Sequence, residues 1–193
     1  MRVISGKAKG RKLRSVPGAT TRPMTDRAKS ALFSILGADV VGCRFLDLFA
    51  GTGQVGIEAL SRGAEEAVFV EKAAAAIRTI RDNLAHTRLE GQARVVRSDV
   101  FTYLSGAAEP FHYAYIAPPQ YRGLWARTLQ AIDGQAGWLA TDGWAVAQIH
   151  PKEYAVLELA RLQLVDQRKY GSVMLCFYAP GADVSGAEQV TGS

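Results

Sequence analysis

Two short stretches carry residue types that can do chemistry. LDLFAGTGQVG at 46–56 sets Gly51, Gly53 and Gly56 in a G-x-G-x-x-G spacing, between an apolar run and a helical one. Glycines so placed let backbone approach a ligand at a helix N-terminus. YIAPPQY at 115–121 is an apolar run stopped by two prolines, then a glutamine and a tyrosine, so its end is rigid and presented to something. Alone, the glycines suit a nicotinamide dinucleotide. Asp47, inside the apolar run before Gly51, argues otherwise, because a carboxylate there favours a positive group over a pyrophosphate.

S-Adenosylmethionine answers to that description, having an ammonium, a sulfonium and no phosphate. Gly51 and Gly53 then pass its methionine portion, with Phe49 and Thr52 in the same loop, and Asp47 helps hold the ammonium directly or through water. Glu71, closing AVFVE with Lys72 next to it, is placed to accept the ribose hydroxyls. Asp99, after ARVVRS and before Val100, is placed to accept from the adenine amine. The three acids fall at the ends of three successive strand-like runs, where open α/β sheets bind ligands.

The elements that must position them follow from the pattern. CRFLDLFA, AVFVEK, ARVVRSD, HYAYIA and WAVAQIH are short apolar runs, each followed by a segment expected to be helical, PKEYAVLEL after the last included. Runs without alternation, separated by helices, predict a doubly wound, mostly parallel α/β sheet covered on both faces. LQLVDQRKYG and SVMLCFYA are joined by a turn too tight for anything but an antiparallel pair, giving seven strands with an antiparallel last one. Upstream, Thr25 caps a helix over DRAKSALFSIL. The expected division is a basic arm or hairpin over 1–24, a body over 25–179 and a disordered tail over 180–193.

The chain has 193 residues, a net charge of +5 and two distant cysteines, Cys43 and Cys176, expected as buried reduced thiols in a cytoplasmic protein. No apolar run is long enough to span a membrane. The charge is unevenly spread: residues 1–29 hold nine bases against Asp26, a net +8, leaving −3 on the remainder. Such a leader suits a polyanion, since each cation near a phosphate releases a counterion. Arg2, Lys7, Lys9, Arg11 and Lys12 are its RNA-facing candidates, with Arg14 beside them; Arg22 is held extended by Pro23. Three histidines without shared spacing predict no metal site, and Trp125, Trp138 and Trp144 are expected in packing.

FLDLFAGTGQVGIEALSRGA, VFVEK, RSDVF and the proline pair resemble class I S-adenosylmethionine-dependent methyltransferases. MRVISGKAKGRKL and TTRPMTDRAKSALFSIL, with RKYGSVMLCFY near the end, resemble more narrowly the RsmD family, over Met1 to about Ala179. That resemblance implies methylation of a guanine N2 in small-subunit ribosomal RNA, a monomer acting on the assembling particle, and substrate contacts from Arg22, Tyr170 and the arm. Met24 departs from the threonine usual in that family.

It also implies a tip of Asp or Asn, Pro, Pro, Tyr or Phe after the fourth strand, where a side chain and a proline carbonyl orient a weakly nucleophilic amine and a ring stacks on the extruded base. The tip here is Ala117, Pro118, Pro119, Gln120, Tyr121, so the side-chain acceptor is missing and the aromatic comes one place late. Three accounts follow: Gln120 replaces the acceptor while Tyr121 stacks; Pro118 acts alone on this or another base; or the chain binds cofactor and RNA without turnover. A nicotinamide-dependent oxidoreductase is the rival built on the glycines alone.

Overall fold

The computed structural model describes residues 1–18 and 24–181. Arg22 and nearly all of the expected tail lie outside them. The seven strands are β1 (Arg44–Leu48), β2 (Glu66–Glu71), β3 (Ala93–Arg97), β4 (Phe111–Ile116), β5 (Leu139–Ile149), β6 (Leu162–Tyr170) and β7 (Val173–Pro180). They form one sheet in the order β3-β2-β1-β4-β5-β7-β6. β1 to β5 pair in parallel, while β7 is antiparallel to both β5 and β6. The chain winds from β1 outward to β3, then returns to the other side of β1 as β4. The reversal opens a crevice between the ends of β1 and β4, the place where such sheets take their ligands.

Among the described residues, five helices cover the sheet: α1 (Asp26–Leu36), α2 (Gln54–Ser61), α3 (Ala74–Thr87), α4 (Val100–Leu104) and α5 (Leu124–Gly134). Leu32, Phe33, Ile57 and Ile80 from α1 to α3 share a core with Phe45, Phe69 and Tyr115 on one face. On the other, Leu104, Trp125 and Leu129 from α4 and α5 pack on Leu46, Val68 and Ile116. Burial from both sides is why the strands read as unbroken apolar runs. Thr25 caps α1 as expected, its Oγ1 accepting from the Ala28 N–H at 3.2 Å. Cys43 and Cys176 are buried and unpaired. Trp125 and Trp138 are buried, and Trp144 packs edge-on against Tyr113 and Phe177.

The helix expected over PKEYAVLEL is absent: only Pro151–Glu153 makes a 3-10 turn. The chain from Tyr154 must run to the far side of β7, and it does so extended. Leu157 and Leu159 both pack on the core, a two-residue spacing that an extended chain allows and a helix does not. Val156 is 82% exposed. At the far end the Asp133 carboxylate accepts the N–H groups of Ala160, Arg161 and Leu162 at 2.7–2.8 Å, fixing the entry to β6.

The basic leader is folded onto the body rather than standing as a separate unit. Residues 2 to 12 form a hairpin, bridged between Arg2 and Lys12 and closed by the Val3 N–H to Arg11 carbonyl bond at 3.0 Å. Val3, Ala8 and Leu13 join the same core as α1 and α2. Gly6 has φ 83° and lies so close to the end of α2 that a Cβ there would sit 1.8 Å from the Ser61 carbonyl oxygen. Glu58 of α2 accepts from the N–H groups of Ile4 and Ser5 and pairs with Lys29 and Arg62. Lys29, one of the nine leader bases, is therefore fully buried in a structural ion pair, and desolvation lowers its pKa against the pull of Glu58.

Candidate active site

The loop after β1 makes three departures from right-handed backbone: Phe49, Gly51 and Gly53 have φ of 61°, 57° and 75°. Gly53 caps α2. A Cβ on Gly56 would come 2.4 Å from Phe69 Cε1 and 3.2 Å from Asp47 Oδ2, so this glycine serves close helix–sheet packing. In front of Gly51 nothing but the Phe49 carbonyl comes within 4 Å of a Cβ position, and the space is open to a ligand. Gln54, the first residue of α2, has a buried amide oxygen without a hydrogen-bond partner among the described residues.

The three acids stand at the ends of the adjacent strands β1, β2 and β3, each already engaged. Asp47 is 2% exposed and its Oδ2 accepts the Gly56 N–H at 3.0 Å. Burial pushes its carboxyl up to about 8; the Gly56 N–H opposes this and the nearby Glu71 charge adds to it. Glu71 accepts the Gly51 N–H on one oxygen at 3.0 Å and the N–H groups of Lys72 and Ala73 on the other at 2.9 Å. It thereby ties the β1 loop to the β2 loop. Asp99 caps α4, accepting the Phe101 N–H at 2.9 Å, and its other oxygen faces the exposed Lys72 ammonium at 3.6 Å. Val100 beside it is buried. A set of acceptor oxygens, three carboxyl groups and the orphaned Gln54 amide oxygen, near an open glycine loop fits a cationic ligand bearing hydroxyls and an amine.

Across the crevice, the tip of β4 is held differently. The Ala117 N–H bonds the Leu48 carbonyl at 3.4 Å, joining it to β1. Ala117 and Pro118 are half-buried; Pro119, Gln120 and Tyr121 are exposed. Gln120 makes no side-chain hydrogen bond among the described residues. Tyr121 is 65% exposed at φ 59°, its N–H donates to the Glu153 carboxylate, and its ring lies 5.6 Å from that of His150. Glu153 also accepts the His150 N–H, so the 3-10 turn after β5 props the tip.

The profile of the family described as "Conserved hypothetical protein 95" matches residues 1–179. The chain belongs to this family. Among its relatives, "Putative rRNA methyltransferase YlbH" of Bacillus subtilis is 38% identical over 92% of this chain and 98% of its own. "Ribosomal RNA small subunit methyltransferase D" of Escherichia coli is 38% identical over 74% of this chain and 71% of its own. Among solved structures, "Putative methyltransferase yhhF" from Escherichia coli superposes with a TM-score of 0.84 at 32% identity, covering 94% of this chain and 98% of that one. The family match takes in the hairpin as well as the sheet.

The hairpin runs beside the glycine loop. Thr52 Oγ1 lies 3.4 Å from Met1 Sδ, and the buried Asn83 of α3 donates to the carbonyls of both Thr52 and Arg14 while accepting the Arg14 N–H. Sequence reasoning missed Asn83; a polar residue amid the apolar face of a helix was the available signal. Of the leader's candidates, Arg2 pairs with Asp26, Arg14 with Asp82, and the Arg11 guanidinium donates to the His86 carbonyl. Lys7, Lys9 and Lys12 are exposed without an ion pair among the described residues. These contacts lay the hairpin along α3, whose exposed Arg78 and Arg81 carry the basic surface onward. Tyr170 ends β6 at the turn opposite the end of β5, half-buried on the α1–α3 face. It thus reaches the same end of the sheet as Ala117. Among the described residues no group of His, Cys, Asp and Glu is arranged to hold a metal, and no helix is long and apolar enough to cross a membrane.

Proposed function

We propose that this chain methylates the exocyclic N2 of a guanine in small-subunit ribosomal RNA, as a monomer working in the cytoplasm on the assembling particle. It is an S-adenosylmethionine-dependent ribosomal RNA methyltransferase; its relatives carry that activity in their names, and the family spans the chain. What supports the site assignment is the engagement of Glu71 and Asp47 with Gly51 and Gly56 of the glycine motif, with Asp99 at the end of the next strand and paired with Lys72 beside Glu71.

When bound there, S-adenosylmethionine supplies an electrophilic methyl on sulfur. Asp47 and the Gln54 amide oxygen are the acceptors for its ammonium end, Glu71 for the ribose hydroxyls and Asp99 for the adenine amine, with Phe49 and Val100 as apolar walls. Glu71 exchanges the Gly51 N–H for a hydroxyl donor, while its second oxygen keeps Lys72 and Ala73. Opposite, the Pro118 carbonyl accepts one hydrogen of the target amine and fixes the direction of its lone pair. Tyr121, whose exposed ring lies beside that of His150, offers a face to the extruded base. The hairpin lysines and the α3 arginines face phosphates, and Tyr170 closes the far side of the cleft.

The test is transfer of radiolabelled methyl to small subunits from a strain lacking this modification, followed by location of the label. Label on one guanine N2 is expected; no label on RNA or particle overturns the assignment.

A further inference from the structure

The side-chain acceptor that Ala117 cannot provide stands on the neighbouring strand. β4 and β5 run parallel, with Tyr115 level with Val146 and Ile116 level with Ala147, so the next step brings Ala117 level with Gln148. Side chains alternate between faces. Tyr115 and Val146 belong to the core under α1 to α3, Ile116 and Ala147 to the opposite one, which returns Ala117 and Gln148 together to the first face. Leu175, the β7 partner of Gln148, lies in that first core too. Adjacent strands are about 4.8 Å apart, within reach of a glutamine side chain. The methyl of Ala117 leaves the space that a longer residue would fill.

Gln148 is also aimed. The hydroxyl of the buried Tyr115 donates to Gln148 Oε1. Tyr115 Oη lies 3.5 Å from Met24 Sδ as well, but a phenol has one proton and a thioether accepts weakly, so the proton goes to the amide oxygen. An amide oxygen has two lone pairs, and Tyr115 occupies one. Gln148 is half-exposed at the crevice end of β5, next to the half-buried Ala117 and Pro118. Gln120, in contrast, sits exposed in the turn beyond them.

We propose that Gln148 is the acceptor for the second hydrogen of the target amine, with Tyr115 as the residue that positions it. The inference rests on the methyl-transfer reading. Pro118 and Gln148 hold the two amine hydrogens. The nitrogen lone pair forms the new C–N bond while the C–S bond breaks, its electron pair going to sulfur, and the surplus proton on nitrogen passes to water. Gln148 takes no proton and does not titrate, so this tip contributes no ionisation to the pH profile.

The test is a binding measurement that needs no turnover. A short single-stranded RNA with one guanine among uridines is compared with its inosine counterpart, which lacks the amine. A site built to accept N–H groups rejects the analogue. The wild-type protein is expected to prefer guanine by about tenfold. The double variant Tyr115→Phe, Gln148→Leu leaves no buried hydroxyl orphaned and is expected to cut the preference to about threefold, the part held by the Pro118 carbonyl, with cofactor affinity unchanged. Adding Ala117→Asn to it is expected to restore the preference. Gln120→Ala should leave it intact. If the wild type shows no preference, or the double variant retains it in full, or Gln120→Ala removes it, the inference falls. Failure of the wild type to label ribosomal RNA would instead overturn the functional assignment, so the two failures are distinguishable.

Discussion

The two walls of the crevice are built on different plans. On the β1–β2 side, Asp47 and Glu71 are fixed by backbone N–H groups, and Asp99 caps a helix, so each carboxylate is locked before a ligand arrives. On the β4 side, the tip from Pro119 to Tyr121 is exposed and propped by Glu153, and its candidate acceptor comes from another strand. The first wall is preorganised by local chain geometry, which is what binding an invariant small molecule rewards. The second is a surface assembled from several elements, which suits a large substrate that completes the site on arrival.

Glu71 is where that contrast should break most sharply. Its carboxylate accepts from three N–H groups, and hydrogen bonds to charged groups are worth about 1.5–3 kcal/mol each. Glu71→Ala removes these and the proposed ribose acceptor together. We expect cofactor affinity, read by calorimetry, to fall by at least about a hundredfold, with a stability loss of about 2–4 kcal/mol in urea unfolding. Gln120→Ala should change either quantity by less than about twofold. Equal effects at the two positions would show that the walls are not differently organised.

Asp47 sharpens the same comparison through pH. Its folded-state value of about 8 lies above the ordinary aspartate value of about 3.9. The folded chain therefore holds a proton that the unfolded chain releases, so this group's stabilisation is complete below about pH 4 and is lost as pH rises to about 8. Asp47→Asn keeps an acceptor for the Gly56 N–H and should raise the melting temperature near pH 8, by about 3 °C for each kcal/mol in a chain of this length. Cofactor affinity should move the opposite way. It should strengthen in the wild type as pH approaches about 8, because a cationic ammonium is held by the ionised form, and the variant should lose that dependence. A flat wild-type profile would place Asp47 outside the ammonium's reach.

The first wall was legible because its signals are local. Glycines at fixed spacing and acids closing apolar runs state loop geometry and strand ends directly, and the five parallel strands, packed on both faces, read as five apolar runs. The helix after β5 misled because PKEYAVLEL has apolar residues at helical spacing, while the route past β7 demands an extended chain. Gln148 was invisible because it sits 31 residues from Ala117 and meets it only through strand register. The leader read as one basic tract, yet Lys29 is buried against Glu58 and Arg2, Arg11 and Arg14 have partners within the protein. Charge counts do not distinguish a cation facing solvent from one closing a fold.

That distinction gives the smallest effect. Arg78 and Arg81 lie on the exposed face of α3, continuous with the hairpin through the Arg14–Asp82 pair, and neither has an ion-pair partner among the described residues. If both face phosphates, the variant Arg78→Ala, Arg81→Ala should lower the slope of log affinity against log salt for ribosomal RNA by about 0.7–0.9 per arginine. Affinity should weaken uniformly across RNA sequences, and melting temperature should stay put, since no packing is lost. Arg14→Ala should do less to the slope, because Asp82 already neutralises it, and more to stability. A slope that responds to Arg14 but not to the α3 pair would confine the RNA track to the hairpin.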